Sequence, residues 1–178
     1  MLQNHAILKL MSGIRMERGN CVFTFRKATL RDVESVLKAR IDFLYDRSNI
    51  TTEQQGQEQE RVNRDYIESA MADGTYVEWL AMDGEKIAGT GGLTFYRLLP
   101  HAERPTGAVA YIDNVFTYPE YRGKGIANKL LDLIVQTACE YGCDLVLLDA
   151  TEMGRPIYEK YGFKNMDGNM MLRCNTPR

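Results

Sequence analysis

The sequence predicts an α/β (α+β) fold, with elements in the order β-α-α-β-β-β-α-β-α-β-β around one mixed, mostly antiparallel sheet of about six to seven strands. Three observations carry this. Two strand-type runs, Ala108-Val109-Ala110-Tyr111-Ile112 and Leu145-Val146-Leu147-Leu148, bracket a segment whose apolar residues have helical spacing: Ile126, Leu130, Leu133, Ile134, Thr137 and Tyr141. Upstream, two strand patterns flank Met82-Asp83-Gly84-Glu85, and its Asp-Gly centre is the strongest hairpin signal in the chain. Before these come two successive helical patterns and a single opening strand.

Taken in order, residues 1–20 show no clear periodicity and are expected to form a poorly docked extension. The domain proper is expected to cover 21–178. It opens with Cys21-Val22-Phe23-Thr24-Phe25-Arg26, which alternates as a strand does. Thr29-Leu30-Arg31-Asp32 carries an N-cap residue with an acid three positions later. The first helix then runs to about Tyr45, with Val33, Val36, Leu37, Arg40, Ile41 and Leu44 on its inner side. A second, thinly apolar helix spans about 52–72, marked by Val62, Tyr66, Ile67, Ala70 and Met71. Residues 75–81 and 86–96 form the hairpin strands. Gly89, Gly91 and Gly92 within the second imply a bulge or the close approach of another backbone. A loop to Gly107 leads to the strand at 108–117 and the long helix at about 124–141, with Gly142 as its stop. Residues 144–149 read as a strand buried on both faces. A short helix at 155–160 follows, then two short strands, 162–166 and 169–173, around Asp167-Gly168.

The chain has 178 residues, 44% of them hydrophobic, which suits one ordinary domain with a real core. Its net charge of −2, with no Lys/Arg cluster along a predicted face, argues against nucleic acid as a partner. No apolar run is long enough to span a bilayer, so no membrane association is expected. Residues 6–14 are mildly apolar, but Lys9 interrupts them and no small-residue cleavage site follows, which argues against a signal peptide. Cys21, Cys139, Cys143 and Cys174 show no zinc-type spacing with His5 or His101, so no metal is expected. Free thiols fit a reduced, cytoplasmic location.

The stretch with chemical content is Val115-Phe116-Thr117-Tyr118-Pro119-Glu120-Tyr121-Arg122-Gly123-Lys124-Gly125-Ile126-Ala127-Asn128. A strand ends before Pro119, which cannot donate to a ladder, and a helix begins after Gly125. The first amides of a helix have no intrahelical acceptor, and the dipole places partial positive charge there. Glycines let a ligand come close to the backbone. Such a turn suits phosphate or pyrophosphate, with Arg122 and Lys124 adding charge beside it. It lacks the Lys-Ser/Thr ending of a P-loop, and Asn128 stands where a dinucleotide fingerprint needs glycine or alanine. A helix start with flexible glycines and no ligand is the plain alternative.

Arg122-x-x-Gly125-x-Ala127 resembles the Arg/Gln-x-x-Gly-x-Gly/Ala signature of the GNAT superfamily of N-acetyltransferases. Gly154-Arg155-Pro156-Ile157-Tyr158-Glu159-Lys160-Tyr161-Gly162-Phe163 is similar to that family's second helix-and-strand segment, in the right order and at the expected distance. Together these cover 111–163. The resemblance implies helices on both faces of the sheet and, at its centre, a splayed parallel pair formed by 108–117 and 144–149. The pantetheine arm of acetyl-CoA, the cosubstrate, would enter the gap and pair with main-chain groups of Val115 and Thr117. The Val115 N–H would polarise the thioester carbonyl, Phe116 would lie between, and Arg122, Gly123, Lys124, Gly125, Ile126, Ala127 and Asn128 would hold the pyrophosphate.

The resemblance also implies roles in catalysis. Tyr158 stands at the family's acid position, where a phenol would donate to the departing thiolate. The base that takes the amine's proton is expected to be Asp113. Glu152, Asp149 or a water chain are alternatives, since Tyr111 occupies a position where some members carry glutamate. No cysteine has a nucleophile's setting, because Cys139 and Cys143 lie about 20 Å along the helix from the pyrophosphate turn, at about 1.5 Å per residue. Direct transfer in a ternary complex is therefore expected. The acceptor is a primary amine, on a small molecule or a peptide, and the helix pair at 30–72 edges its pocket. Tyr76, Glu78, Tyr96, His101 and Glu103 are candidates for lining it. A homodimer is compatible with the resemblance. A CoA-binding regulatory module without catalysis, or a transferase of a longer acyl group, would share the same binding turn.

Overall fold

Side-chain alternation along the strands sorts the apolar residues onto two faces of one six-stranded sheet. The structure is a computed structural model that describes residues 13–19, 21–166, 168 and 170. The strands are β1 (Ile14–Arg18), β2 (Cys21–Lys27), β3 (Tyr76–Asp83), β4 (Lys86–Arg97), β5 (Ala108–Thr117) and β6 (Leu145–Leu148), laid side by side in sequence order. The helices are α1 (Val33–Asp46), α2 (Glu53–Asp73), α3 (Ile126–Glu140) and α4 (Arg155–Tyr161). Pairing is antiparallel throughout except between β5 and β6, which are parallel. The mixed, mostly antiparallel fold is the one expected. Among the described residues the parallel pair lies at one edge of the sheet. The chain divides into two compact units, Met1–Leu148 and Asp149–Arg178.

Within the first unit, Tyr76, Leu80 and Met82 of β3 share a buried cluster with Val33, Val36, Leu37, Ile41 and Leu44 of α1 and Ile67 and Ala70 of α2. The intervening Trp79 points the other way, where its indole N–H donates to Thr137 Oγ1 of α3 at 3.0 Å. Helices thus cover both faces. α3 is the most amphipathic of them. Its Leu130, Leu131 and Ile134 are almost fully buried, each contributing about 1.5–3 kcal/mol of burial free energy. α1 is entered through a capping box: Thr29 N–H donates to Asp32 at 2.8 Å, and Arg26 forks onto the same carboxylate.

Three expectations are corrected. The segment 1–20 is not wholly an undocked extension, because Ile14–Arg18 pairs with β2, Ile14 opposite Phe25 and Arg18 opposite Cys21. The cue was Gly19, which follows Arg18 and takes φ +58°. β6 is half-buried along its length rather than buried on both faces, as suits the last strand of the described sheet. Residues 163–166 are not a strand. Phe163 donates its N–H to the Tyr158 carbonyl at 3.0 Å, closing α4 instead of joining a ladder. The partner expected at 169–173 lies, Met170 apart, outside the described residues.

In the second unit, α4 starts where Thr151 Oγ1 accepts from Gly154 N–H at 2.9 Å, and it ends at Gly162 with φ +115°. The Tyr158 ring packs edge-on against Phe163 at 5.8 Å.

Candidate active site

β5 and β6 are paired from Val109–Leu145 to Ile112–Leu148 and no further. Their paired end is clamped: Asp144 accepts from Thr106 N–H, Thr106 Oγ1 and Gly107 N–H at 2.7–2.9 Å, and its own N–H donates to the Ala108 carbonyl. β5 then continues from Asp113 to Thr117 beyond the last pair. Tyr118 donates its N–H to the Ala88 carbonyl of β4. Strand alternation therefore turns the N–H groups of Thr117 and Val115 to the opposite edge, the one β6 has left.

A bulge interrupts β5 at the same place. Thr90 pairs with Phe116 and Gly92 with Asp113, so Gly91 faces two residues, Asn114 and Val115. Asn114 takes the left-handed conformation, φ +55°, which asparagine tolerates better than most residues. The bulge sends its side chain inward to Glu78. A Cβ on Gly92 would stand 2.4 Å from Tyr76 Oη and 2.5 Å from Glu78 Oε2, so only glycine lets β4 pass over this pair.

After β5 comes a 3-10 turn, Pro119–Tyr121, then Gly123 at φ +76° and Gly125 at φ +82°. Gly125 is the N-cap of α3 and offers no side-chain cap. The first amides of α3 therefore emerge from a cradle with no side-chain acceptor at its cap, beside Arg18, whose guanidinium would lie 3.6–4.0 Å from a Cβ at Gly125. Arg18 was missed at the sequence level because β1 was. The Arg122 guanidinium is tied to both oxygens of Asp46 at 2.9 and 3.0 Å and to the Thr117 carbonyl at 3.1 Å. It fixes the turn to the end of α1. Lys124 holds its ammonium over the Tyr121 ring at 5.0 Å. Ile126 is buried, Ala127 half-buried and Asn128 exposed, so the three are spread around the first turn of α3.

On the α1/α2 face of the sheet, next to this edge, lies a cavity of about 390 Å³. The strands contribute Tyr76, Thr94, Tyr96, Tyr111, Asp113 and Asn114, and the helices Arg40, Asn63, Tyr66 and Ile67. Asp113 is half-buried and accepts from Thr94 Oγ1 at 2.7 Å, while Tyr66 Oη lies 3.0 Å from the same Thr94 oxygen. Of the residues expected on the acceptor side, Tyr76 and Tyr96 line the cavity and Glu78 lies beneath it. His101 and Glu103 are exposed on the loop outside. Glu152, Asp149 and Tyr158 belong to the second unit.

Glu78 is fully buried, with Tyr76 Oη donating to one oxygen and Asn114 Nδ2 to the other. Burial pushes its carboxyl up to about 8, against hydrogen bonds from Tyr76, Asn114 and Thr90 and the positive charge of Arg40, which pull it down. Burial and the Glu78 charge likewise push the Tyr76 phenol well above its ordinary value. Folded Glu78 keeps its proton to about pH 8. An unfolded glutamate loses it near about 4.3. Between these values the folded state binds more protons, so stability falls as pH rises, by roughly 1.4 kcal/mol per pH unit at the steepest, and levels off above. Glu78→Gln removes this slope. Thermal melts from pH 5 to 8 should show the variant gaining on the wild type as pH rises. Parallel curves would mean that Glu78 titrates normally.

Among the described residues no group of three or more His, Cys, Asp or Glu could hold a metal ion, and no helix is long and apolar enough to cross a membrane.

The family model described as "Acetyltransferase (GNAT) family" matches residues 40–163, across both units. The chain belongs to the GNAT acetyltransferase family. A predicted acetyltransferase from Clostridium acetobutylicum, solved with acetyl-CoA, is 32% identical at a TM-score of 0.76, covering 85% of this chain and 96% of that one. A GCN5-related N-acetyltransferase from Ralstonia eutropha is 25% identical at a TM-score of 0.74, covering 85% and 98%. Among curated relatives, a glucosamine 6-phosphate N-acetyltransferase of Trypanosoma brucei brucei is 33% identical over 87 residues, 49% of this chain and 57% of its own length. A thialysine N-epsilon-acetyltransferase of Sus scrofa is 30% identical over 64 residues, 34% of this chain and 38% of its own. This chain thus spans only about half the length of the curated relatives it matches. The GNAT match includes both the β5–α3 turn and the Tyr158 segment that carried the sequence resemblance.

Proposed function

We propose that this GNAT protein is an N-acetyltransferase that moves an acetyl group from acetyl-CoA to a primary amine by direct attack in a ternary complex. One observation carries the reading. β5 outruns its parallel partner from Asp113 onward, and that free stretch joins the glycine cradle of α3 to the cavity holding Asp113. The pantetheine arm would lie along Val115–Thr117 as an added strand, with the Val115 N–H at the thioester oxygen and the pyrophosphate over 122–128. Acetyl-CoA supplies the activated acyl group; the chain supplies alignment and proton transfer. Asp113 would take a proton from the amine in the cavity, its carboxylate oriented by Thr94. The amine would attack the carbonyl carbon, and the thiolate would leave with a proton from Tyr158, a role that rests on the family resemblance. Among the described residues no cysteine lines the cavity, Cys139 lies in the last turn of α3, and burial pushes the Cys143 thiol up, all of which favours transfer without an acetyl-enzyme. The curated relatives named above act on glucosamine 6-phosphate and thialysine, each of which offers a primary amine.

The test is release of free thiol from acetyl-CoA in the presence of primary amines. We expect amine-dependent release from the wild type. Asp113→Asn should lower kcat/KM about 100-fold and remove the acid limb of its pH profile. An unchanged profile would take the base role from Asp113. Tight binding of acetyl-CoA with no release for any amine would instead mark a binding module.

A further inference from the structure

We propose that Arg40 is the seat for an anionic group on the acceptor, a carboxylate or a phosphate, so that the substrate is an acidic molecule with a primary amine. This rests on the acetyl-transfer reading of the cavity. Arg40 stands on the inner side of α1, between Leu37 and Ile41 of the buried stripe, where a charged residue needs a reason. It is half-buried, and among the described residues that line the cavity it is the one cation, as Asp113 is the one carboxylate.

Its partners are neutral. Arg40 Nε donates to Asn63 Oδ1 at 3.3 Å, and its guanidinium lies 5.5 Å from the centre of the Phe43 ring. Among the described residues no carboxylate is within ion-pair distance of it, although α1 and α2 carry many acids and pair several with other arginines. Asn63 is itself held, its Nδ2 donating to the Gln59 carbonyl at 2.8 Å, so the amide that aims Arg40 is fixed from behind. Removing a guanidinium from water without an anion is unfavourable, and a planar fork aimed into a cavity suits the paired oxygens of a carboxylate or phosphate. Asp113 meanwhile offers the cavity's negative charge to an ammonium. The Tyr76 hydroxyl feels both, Asp113 and Arg40 acting on it in opposite directions. One positive and one negative group on shared tyrosine walls describe a receptor for a molecule that carries both signs.

The experiment compares matched acceptors that differ only in the anion: lysine against lysinamide, and glucosamine 6-phosphate against glucosamine, each with saturating acetyl-CoA, on the full chain. The acidic member of at least one pair should have kcat/KM ten-fold or more above its neutral counterpart, through KM. The pair that shows it separates carboxylate from phosphate. Arg40→Gln should reduce that preference to two-fold or less, and Arg40→Lys should restore part of it. CoA-induced thermal stabilisation of both variants checks that they fold. Neutral members used as well as the acids, or an equal loss on both members in Arg40→Gln, would overturn the seat. Should no amine release thiol, calorimetry of the same acids in the presence of CoA decides separately. Binding that weakens ten-fold or more in Arg40→Gln upholds the anion seat while the transfer reading fails. No binding, or binding indifferent to the substitution, removes the seat as well.

Discussion

Gly125→Val is expected to weaken CoA binding at least 30-fold. Gly125 is the N-cap of α3 and holds φ +82°, ψ +7°. A β-branched residue there is a true steric outlier, at a cost of about 1–2 kcal/mol or more. The chain relieves it by moving the residue out of the left-handed region. That rotates the peptide entering α3 and swings away the first amides on which the pyrophosphate would rest. The new side chain would also crowd the Arg18 guanidinium, which would otherwise lie 3.6 Å from a Cβ. Lys124→Ala is the contrast: its ammonium sits on the Tyr121 ring, and its loss should cost three-fold or less in affinity. Calorimetric titration of CoA into both variants measures the difference. Comparable losses would mean that side-chain charge, rather than backbone, holds the phosphates.

Tyr158→Phe should lower kcat ten- to one-hundred-fold and leave the Kd for CoA within two-fold. A phenol near pKa 10 is protonated at neutral pH, and a thiol near about 8.5 makes the completed transfer slightly uphill. The hydroxyl therefore acts as a hydrogen-bond donor whose value grows as the C–S bond breaks, which affects turnover and not affinity. The substitution is conservative for the fold. The ring keeps its edge-on contact with Phe163, and the helix end is closed by backbone, with Phe163 and Gly162 N–H both on the Tyr158 carbonyl. Steady-state kinetics beside calorimetry reads it out. Equal turnover in the two proteins removes Tyr158 as the acid.

The turn from β5 into α3 was legible because its information is local: an apolar strand, Pro119, two glycines, then helical spacing. The bounds of β5 agree with its sequence pattern to the residue. The Gly89 to Gly92 run announced a bulge or the close approach of another backbone: the bulge opposite Gly91 is carried by β5, and a Cβ on Gly89 would stand 2.8 Å from the Phe116 carbonyl oxygen. Part of the cavity between the sheet and the helix pair was illegible for a reason just as physical. Arg40, Asn63 and Asn114 meet only through tertiary packing, across as many as 74 positions of sequence, and nothing local marks Asn114 as the bulged residue. Arg40 gave one usable sign, a charge on an otherwise apolar stripe. β1 was lost because Arg15, Glu17 and Arg18 mask the alternation of an edge strand that keeps little buried. Charged edges of this kind also discourage pairing with other chains.

The central claim is that the edge of β5 beyond its last β6 partner, with the start of α3, is where the coenzyme lies. Residue-resolved amide exchange by NMR, with and without saturating CoA, tests it most directly. The account predicts at least ten-fold slower exchange at Val115, Thr117 and the amides of 125–128, with little change along β1 to β3. Protection confined to other parts of the sheet, with those amides exchanging as fast as in the free protein, would contradict it.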